Sequence, residues 1–103
     1  MATRTLSEAE LGDSLTLSVG DELVVELNER PSTGYRWAIA YIDPAVLAVR
    51  EGTHQATSEA LGAARARRLV FVALAVGQTQ LRLERSRGDA TDRQLALGVV
   101  VEA

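Results

Sequence analysis

The chain has 103 residues, a net charge of −3, 47% hydrophobic and 24% charged residues. That length predicts one domain spanning 1–103, burying roughly two-thirds of its unfolded surface in a core that needs no staples. With no cysteine and one histidine, His54, the chain offers no disulfide, thiolate site, cysteine nucleophile or His-rich metal centre. Its 14 acidic residues outnumber 11 basic ones, all of them arginine, so a general affinity for nucleic acid is not expected. These exclusions remove most enzyme classes, and neither catalysis nor a cofactor or metal is expected.

No apolar h-region follows Met1 to Glu8, so no signal peptide is visible. The compartment stays open: cytoplasmic as the chain stands, periplasmic or secreted if a leader has been removed. The longest apolar stretch, Leu69 to Val76, falls far short of a membrane span, and no membrane partner is expected. A monomer is expected.

Period-two alternation dominates from the N-terminal side onward. Leu15, Leu17 and Val19 share one face of a first strand, and Gly20-Asp21 marks a tight turn. Leu23, Val25 and Leu27 define the next strand, and Trp37, Ile39 and Tyr41 a third. Asp43-Pro44 turns the chain into a short strand over 46–50. Residues 57–68 are rich in helix formers, with Ser58 as a candidate N-cap, but Gly62 interrupts them. A mobile loop is expected there rather than a short helix. Leu69, Phe71 and Ala73 follow, then Leu81, Leu83 and Arg85, with Gly77-Gln78 expected to join these two strands as a hairpin. Leu95, Leu97, Val99 and Val101 complete the set. Such a series, about seven strands, packs most economically as two antiparallel sheets face to face, an all-β sandwich.

Between the second and third of these strands stands Arg30-Pro31-Ser32-Thr33-Gly34-Tyr35-Arg36-Trp37. Pro31 fixes its own φ and extends Arg30, the Ser32 and Thr33 hydroxyls suit local backbone bonds, and Gly34 permits a positive φ. The segment resembles the first inhibitory loop of the chagasin-like family of cysteine-peptidase inhibitors, Asn-Pro-Thr-Thr-Gly-aromatic-x-Trp. Pro31, Thr33, Gly34, Tyr35 and Trp37 fit, Ser32 is a conservative change, and Arg30 departs from Asn. The likeness continues through Gly12, Leu15, Val19, Gly20-Asp21, Leu61-Gly62-Ala63, Phe71, Ala73, Gly77, Leu81 and Leu83.

The resemblance implies an immunoglobulin-like antiparallel β-sandwich of seven to eight strands, whose three loops wedge reversibly and non-covalently into the cleft of a papain-like cysteine peptidase. The first loop would be Pro31, Ser32, Thr33, Gly34 and Tyr35, with Thr33 nearest the catalytic cysteine. The second would be Gly62, Ala63, Ala64 and Arg65, where the family has Gly-x-Gly-Gly. The third would be Arg85, Ser86 and Arg87, where it has Arg-Pro-Trp. The departures leave a second reading open: a non-inhibitory protein-binding module of the same fold. It would use an arginine-rich loop end, Arg30, Arg65, Arg67, Arg68, Arg85 and Arg87, to hold an anionic partner. Coding bias and charge at strand ends would also produce such a set.

Three further features carry little. Arg87-Gly88-Asp89 matches an adhesion tripeptide but is ordinary turn chemistry. His54, on an expected loop near Ser58 and Glu59, lacks an orienting third group. Asp89 and Asp92 alone are too few oxygens for a calcium site. Trp37 reads as core, while Tyr35 fits either core or a contact surface.

Overall fold

The computed structural model describes residues 2–29, 33–56 and 65–103; for 51–56, 65 and 66 it describes the backbone alone. Eight strands stand among the described residues: β1 (Thr3–Ser7), β2 (Ser14–Ser18), β3 (Glu22–Glu29), β4 (Arg36–Tyr41), β5 (Leu47–Ala56), β6 (Arg65–Ala73), β7 (Gly77–Arg87) and β8 (Ala90–Glu102). They form two four-stranded sheets, ordered β1-β3-β6-β5 and β2-β8-β7-β4. The expected immunoglobulin-like sandwich is therefore present.

Alternation builds the core. Leu23, Val25, Leu27, Leu69 and Phe71 from one sheet face Leu15, Leu17, Trp37, Leu81, Leu83, Leu97, Val99 and Val101 from the other, all buried. The central pairings are antiparallel, but β1 pairs β3 and β2 pairs β8 in parallel. The reason is the path of the chain. It leaves β1, crosses to the other sheet as β2, and returns as β3, which supplies the crossover that a parallel neighbour needs.

Four expectations are corrected. The strand expected at 46–50 runs on to Ala56, which places His54 on β5, paired with Arg67, rather than on a loop. Strand β6 begins at Arg65, so 65–68, expected as loop or helix, are strand; they pair with both β3 and β5. The rest of that stretch, 57–64, lies outside the described residues. Gly77-Gln78 does not join a hairpin, because β6 and β7 belong to different sheets and the connection turns a corner of the sandwich. Tyr41 leaves the apolar face: the register slips between Ile39 and Tyr41, so Tyr41 pairs with the outward Arg82 and is 52% exposed. A one-residue slip changes the face that a side chain occupies.

The Asp43 turn forms as expected, with the Val46 and Leu47 amides donating to the Asp43 carbonyl at 3.1 and 3.0 Å. A 3-10 turn, Glu8–Glu10, follows β1 and is closed by a capping box between Ser7 and Glu10. Its Glu8 carboxylate accepts the Asn28 amide at 3.3 Å and meets the Arg93 guanidinium at 2.6 Å, tying the turn to both sheets.

Strand direction now positions the loops. Strands β3, β5 and β7 end, and β4, β6 and β8 begin, at one end of the sandwich, as the antiparallel registers require. The β3–β4, β5–β6 and β7–β8 connections therefore all leave from that end.

Candidate functional site

The loop end is built on a buried carboxylate. Alternation along β3 continues from Leu23, Val25 and Leu27 to Glu29, which therefore points inward and is 1% exposed. Its Oε2 accepts the Trp37 amide at 2.9 Å, which fixes the start of β4 against the end of β3. Arg36 and Arg67 hold their guanidinium groups 3.7 and 3.6 Å from the Glu29 oxygens. Trp37 itself is 1% exposed, and its indole donates to the Asn28 carbonyl at 2.8 Å. Trp37 is core, as expected. The chain thus leaves and re-enters the sandwich at two pinned points, with the first loop strung between them.

Of that loop, Thr33, Gly34 and Tyr35 are described; Pro31 and Ser32, like the neighbouring Arg30, lie outside the described residues. Thr33 and Gly34 are exposed and Tyr35 is half-buried. The Tyr35 amide donates to the Thr33 hydroxyl at 3.3 Å, the local hydroxyl–backbone bond the sequence suggests. Gly34 has φ +77°, a left-handed conformation that other L-residues adopt only at a cost.

The third candidate loop is the tip of the β7–β8 hairpin. Arg85, Ser86 and Arg87 are its last β7 residues, and Ser86 pairs across to Arg36 of β4. Only Gly88 and Asp89 connect the strands, with Gly88 at φ +56°. A glycine of positive φ at the first position of a two-residue connection is the habit of type II′ hairpins, so Arg87-Gly88-Asp89 serves as turn chemistry. The register slips by one residue after Arg85, leaving Asp92 as the extra residue of a bulge.

That bulge aims Asp92 at Arg85. Arg85 Nε and Nη2 donate to the two Asp92 oxygens, both at 2.9 Å. The same guanidinium lies 5.6 Å above the Trp37 ring. Arg87 reaches across to the first loop, donating to the Thr33 carbonyl at 3.2 Å and lying 5.0 Å above the Tyr35 ring. A recess of about 220 Å³ lined by Asn28, Thr33, Tyr35, Arg85 and Asp92 separates the two loops. Of the second loop, Gly62, Ala63 and Ala64 lie outside the described residues. Arg65 begins β6 opposite Glu29, so the second loop rejoins the sandwich at this same end.

Three members of the arginine-rich set are occupied, and Arg68 on β6 is exposed. Arg85 serves Asp92 and Trp37, Arg87 serves Thr33 and Tyr35, and Arg67 faces Glu29. Asp92, once a candidate cation ligand with Asp89, has both oxygens engaged by Arg85. Sequence reasoning missed Glu29 and Arg36 as parts of this end, and missed Asp92 as the partner of Arg85. The parity of β3 pointed to Glu29; nothing in the sequence marks the bulge at Asp92.

Hydrogen bonds to Arg85, more than its charge alone, hold the Asp92 carboxyl below the ordinary aspartate range and raise Arg85 in turn. The Ser18 and Ala2 amides lower Asp21, and the Ser7 amide and hydroxyl lower Glu10. A carboxylate lowered in the folded state stabilises above its unfolded pKa, and that contribution disappears as pH falls through the lower folded value. Stability is expected to stay level down to about pH 5 and to fall below about pH 4, where ordinary carboxylates titrate. Urea midpoints measured across pH 2 to 8 on this principle check it; Asp92→Asn should make the acid fall shallower, and an unchanged slope would count against the Arg85–Asp92 contribution.

The profile of the Chagasin family peptidase inhibitor I42 matches residues 16–97. No curated protein matches the chain. Among solved structures, the cysteine protease inhibitor EhICP2 from Entamoeba histolytica superposes with a TM-score of 0.86 at 30% identity, over 98% of this chain and 96% of that one. Amebosin follows with a TM-score of 0.79 at 20% identity, over 96% and 97% of the two chains. PbICP-C, determined in complex with falcipain-2, gives 0.72 at 17% identity, over 96% and 99%.

Proposed function

This chain belongs to the chagasin family of peptidase inhibitors, and we propose that it inhibits papain-like cysteine peptidases reversibly and non-covalently, by lodging its loop end in their active-site cleft. The family is one of inhibitors, not enzymes. Thr33-Gly34-Tyr35 would cover the catalytic cysteine. The observation that carries this reading is the loop itself: exposed at Thr33 and Gly34, pinned beneath by Glu29 and Trp37, and braced from the side by Arg87. A loop ordered before docking loses little conformational freedom on binding, so more of its contact energy survives as affinity. PbICP-C, of the same fold, binds falcipain-2, which supports a cysteine peptidase as the partner.

Inhibition without reaction follows from what the loop offers. Nothing in Thr33-Gly34-Tyr35 is an electrophile beyond ordinary backbone carbonyls, and the chain has no thiol for disulfide exchange. A carbonyl held off the line of attack leaves the peptidase thiolate covered and unreacted. The second loop, with Arg65, and the β7–β8 tip, with Arg85, Ser86 and Arg87, would flank the first along the cleft.

Titrating papain or cathepsin L with the protein, while following hydrolysis of a peptide substrate, tests the reading. Inhibition at or below micromolar protein is expected, with activity recovered on dilution and the inhibitor's intact mass unchanged. Full activity at micromolar protein would overturn the reading for that peptidase class.

A further inference from the structure

We infer that Arg87 is a positioning residue for the first loop, so that the β7–β8 tip serves this inhibitor as a brace for the wedge. Three contacts to three consecutive residues carry the inference. Arg87 Nη1 donates to the Thr33 carbonyl at 3.2 Å. Its side-chain stem covers Gly34 so closely that a Cβ there would lie 2.9 Å from Arg87 Cδ and 3.4 Å from Cγ. Its guanidinium lies 5.0 Å above the centroid of the Tyr35 ring. One side chain thus spans the described part of the loop and engages each residue by a different interaction.

The brace is itself anchored. Arg87 closes the β7–β8 hairpin opposite Ala90, and its neighbour Ser86 pairs with Arg36 at the start of β4. The strand that carries Arg87 and the strand that receives the loop are therefore hydrogen-bonded neighbours, and the side chain bridges a gap of fixed width. Arginine suits this task. A planar guanidinium stacks on an aromatic face while an edge N–H still donates in the ring plane; a lysine ammonium donates or sits over the ring but does not do both from one pose. The charge is retained beside a peptidase cleft, but its use here is internal.

The inference rests on the reading that this loop enters the peptidase cleft, and its test has one arm that does not need a peptidase. In the free protein, NMR should find the Arg87 δ-protons shifted upfield by the Tyr35 ring and amide order parameters at 33–35 close to those of the strands. Arg87→Ala should lower those order parameters and the urea midpoint only slightly, with an unchanged m-value showing that the sandwich itself is intact. Arg87→Lys should resemble Arg87→Ala rather than the parent. With papain, Arg87→Ala should raise Ki by about tenfold, the scale of one cation–π contact with one hydrogen bond. In a Tyr35→Leu background the same substitution should cost about threefold, because the ring contact is already gone and only the bond to the Thr33 carbonyl remains to be lost.

Unchanged order parameters in Arg87→Ala would overturn the inference. So would an equal Ki penalty in both backgrounds, which would make Arg87 a direct contact to the peptidase. Should the parent protein inhibit no peptidase, the inhibitor reading fails while the NMR arm still decides whether Arg87 positions the loop.

Discussion

Gly34→Glu is expected to raise Ki against papain by 100-fold or more, corresponding to about 2.7 kcal/mol, while the folded state loses only about 1 to 2 kcal/mol. The stability cost is that of forcing a residue with a Cβ to φ +77°. The binding cost has two further sources. The new Cβ would lie 2.9 Å from Arg87 Cδ, so Arg87 must leave its place over the loop and its stack on Tyr35. The added carboxylate then stands at the tip of the wedge, where the proposed docking would strip it of water without a partner. Gly34→Ala separates these sources, since it keeps the strain and the Arg87 clash but adds no charge; it should fall between the parent and Gly34→Glu. Ki from steady-state inhibition and urea midpoints measured on the same samples check both sides. A Gly34→Glu protein that inhibits within threefold of the parent would mean that this loop does not enter the cleft.

The sandwich was legible because alternation reports on burial, and burial decides most of this fold. Where alternation is weak, the sequence falls silent for a physical reason. Strand β1 reads Thr-Arg-Thr-Leu-Ser and buries Leu6 alone. It is an edge strand held by its backbone ladder to β3 rather than by an apolar face. The capping-box spacing Ser7 to Glu10 was the available signal for the turn that follows it. The start of β6, Arg65-Ala66-Arg67-Arg68, looks like a solvated helix or loop, yet it lies between β3 and β5 with both its edges paired. Its polar composition reflects the loop end, where Arg67 meets Glu29. Local turn chemistry marked Gly77-Gln78, which open β7 instead of forming the connection, and it carried no information on whether the next strand joins the same sheet or the facing one.

The site divides in the same way. Thr33, Gly34, Tyr35 and Arg85 to Arg87 were visible through the family resemblance, and their gathering at one end follows from strand direction. What resemblance could not show is how a departure is accommodated. Where the resemblance leads one to expect tryptophan, Arg87 lies over the Tyr35 ring and donates to the Thr33 carbonyl. Arg85 keeps the family's residue but depends on Asp92, which a bulge alone brings into range. Cross-strand partners of this kind are set by register, and register is a property of the assembled sheet.

Glu29→Ala is expected to cost about 3 to 5 kcal/mol, the range for removing one member of a buried ion pair. The native carboxylate is desolvated, and that cost is offset by the Trp37 amide at 2.9 Å and by two guanidinium groups at 3.6 and 3.7 Å. Alanine removes the acceptor and leaves the donors. A buried amide without a partner costs about 1 to 3 kcal/mol by itself, and Arg67, whose side chain is only 23% exposed, would keep much of its desolvation cost without this carboxylate. Against a typical total of about 5 to 15 kcal/mol, such a loss takes a large share of the stability of a 103-residue chain. Glu29→Gln should cost less, because an amide oxygen still accepts from Trp37 while the charge is gone. The difference between the two variants therefore separates the hydrogen bond from the ion pairs. Urea denaturation provides the measurement, with an unchanged m-value showing that only stability has moved. A Glu29→Ala loss under about 1 kcal/mol would mean that the ionic cluster beneath the first loop contributes little. Since the same carboxylate fixes the start of β4, a protein weakened there should also present a looser wedge, and its Ki should rise before its fold is lost.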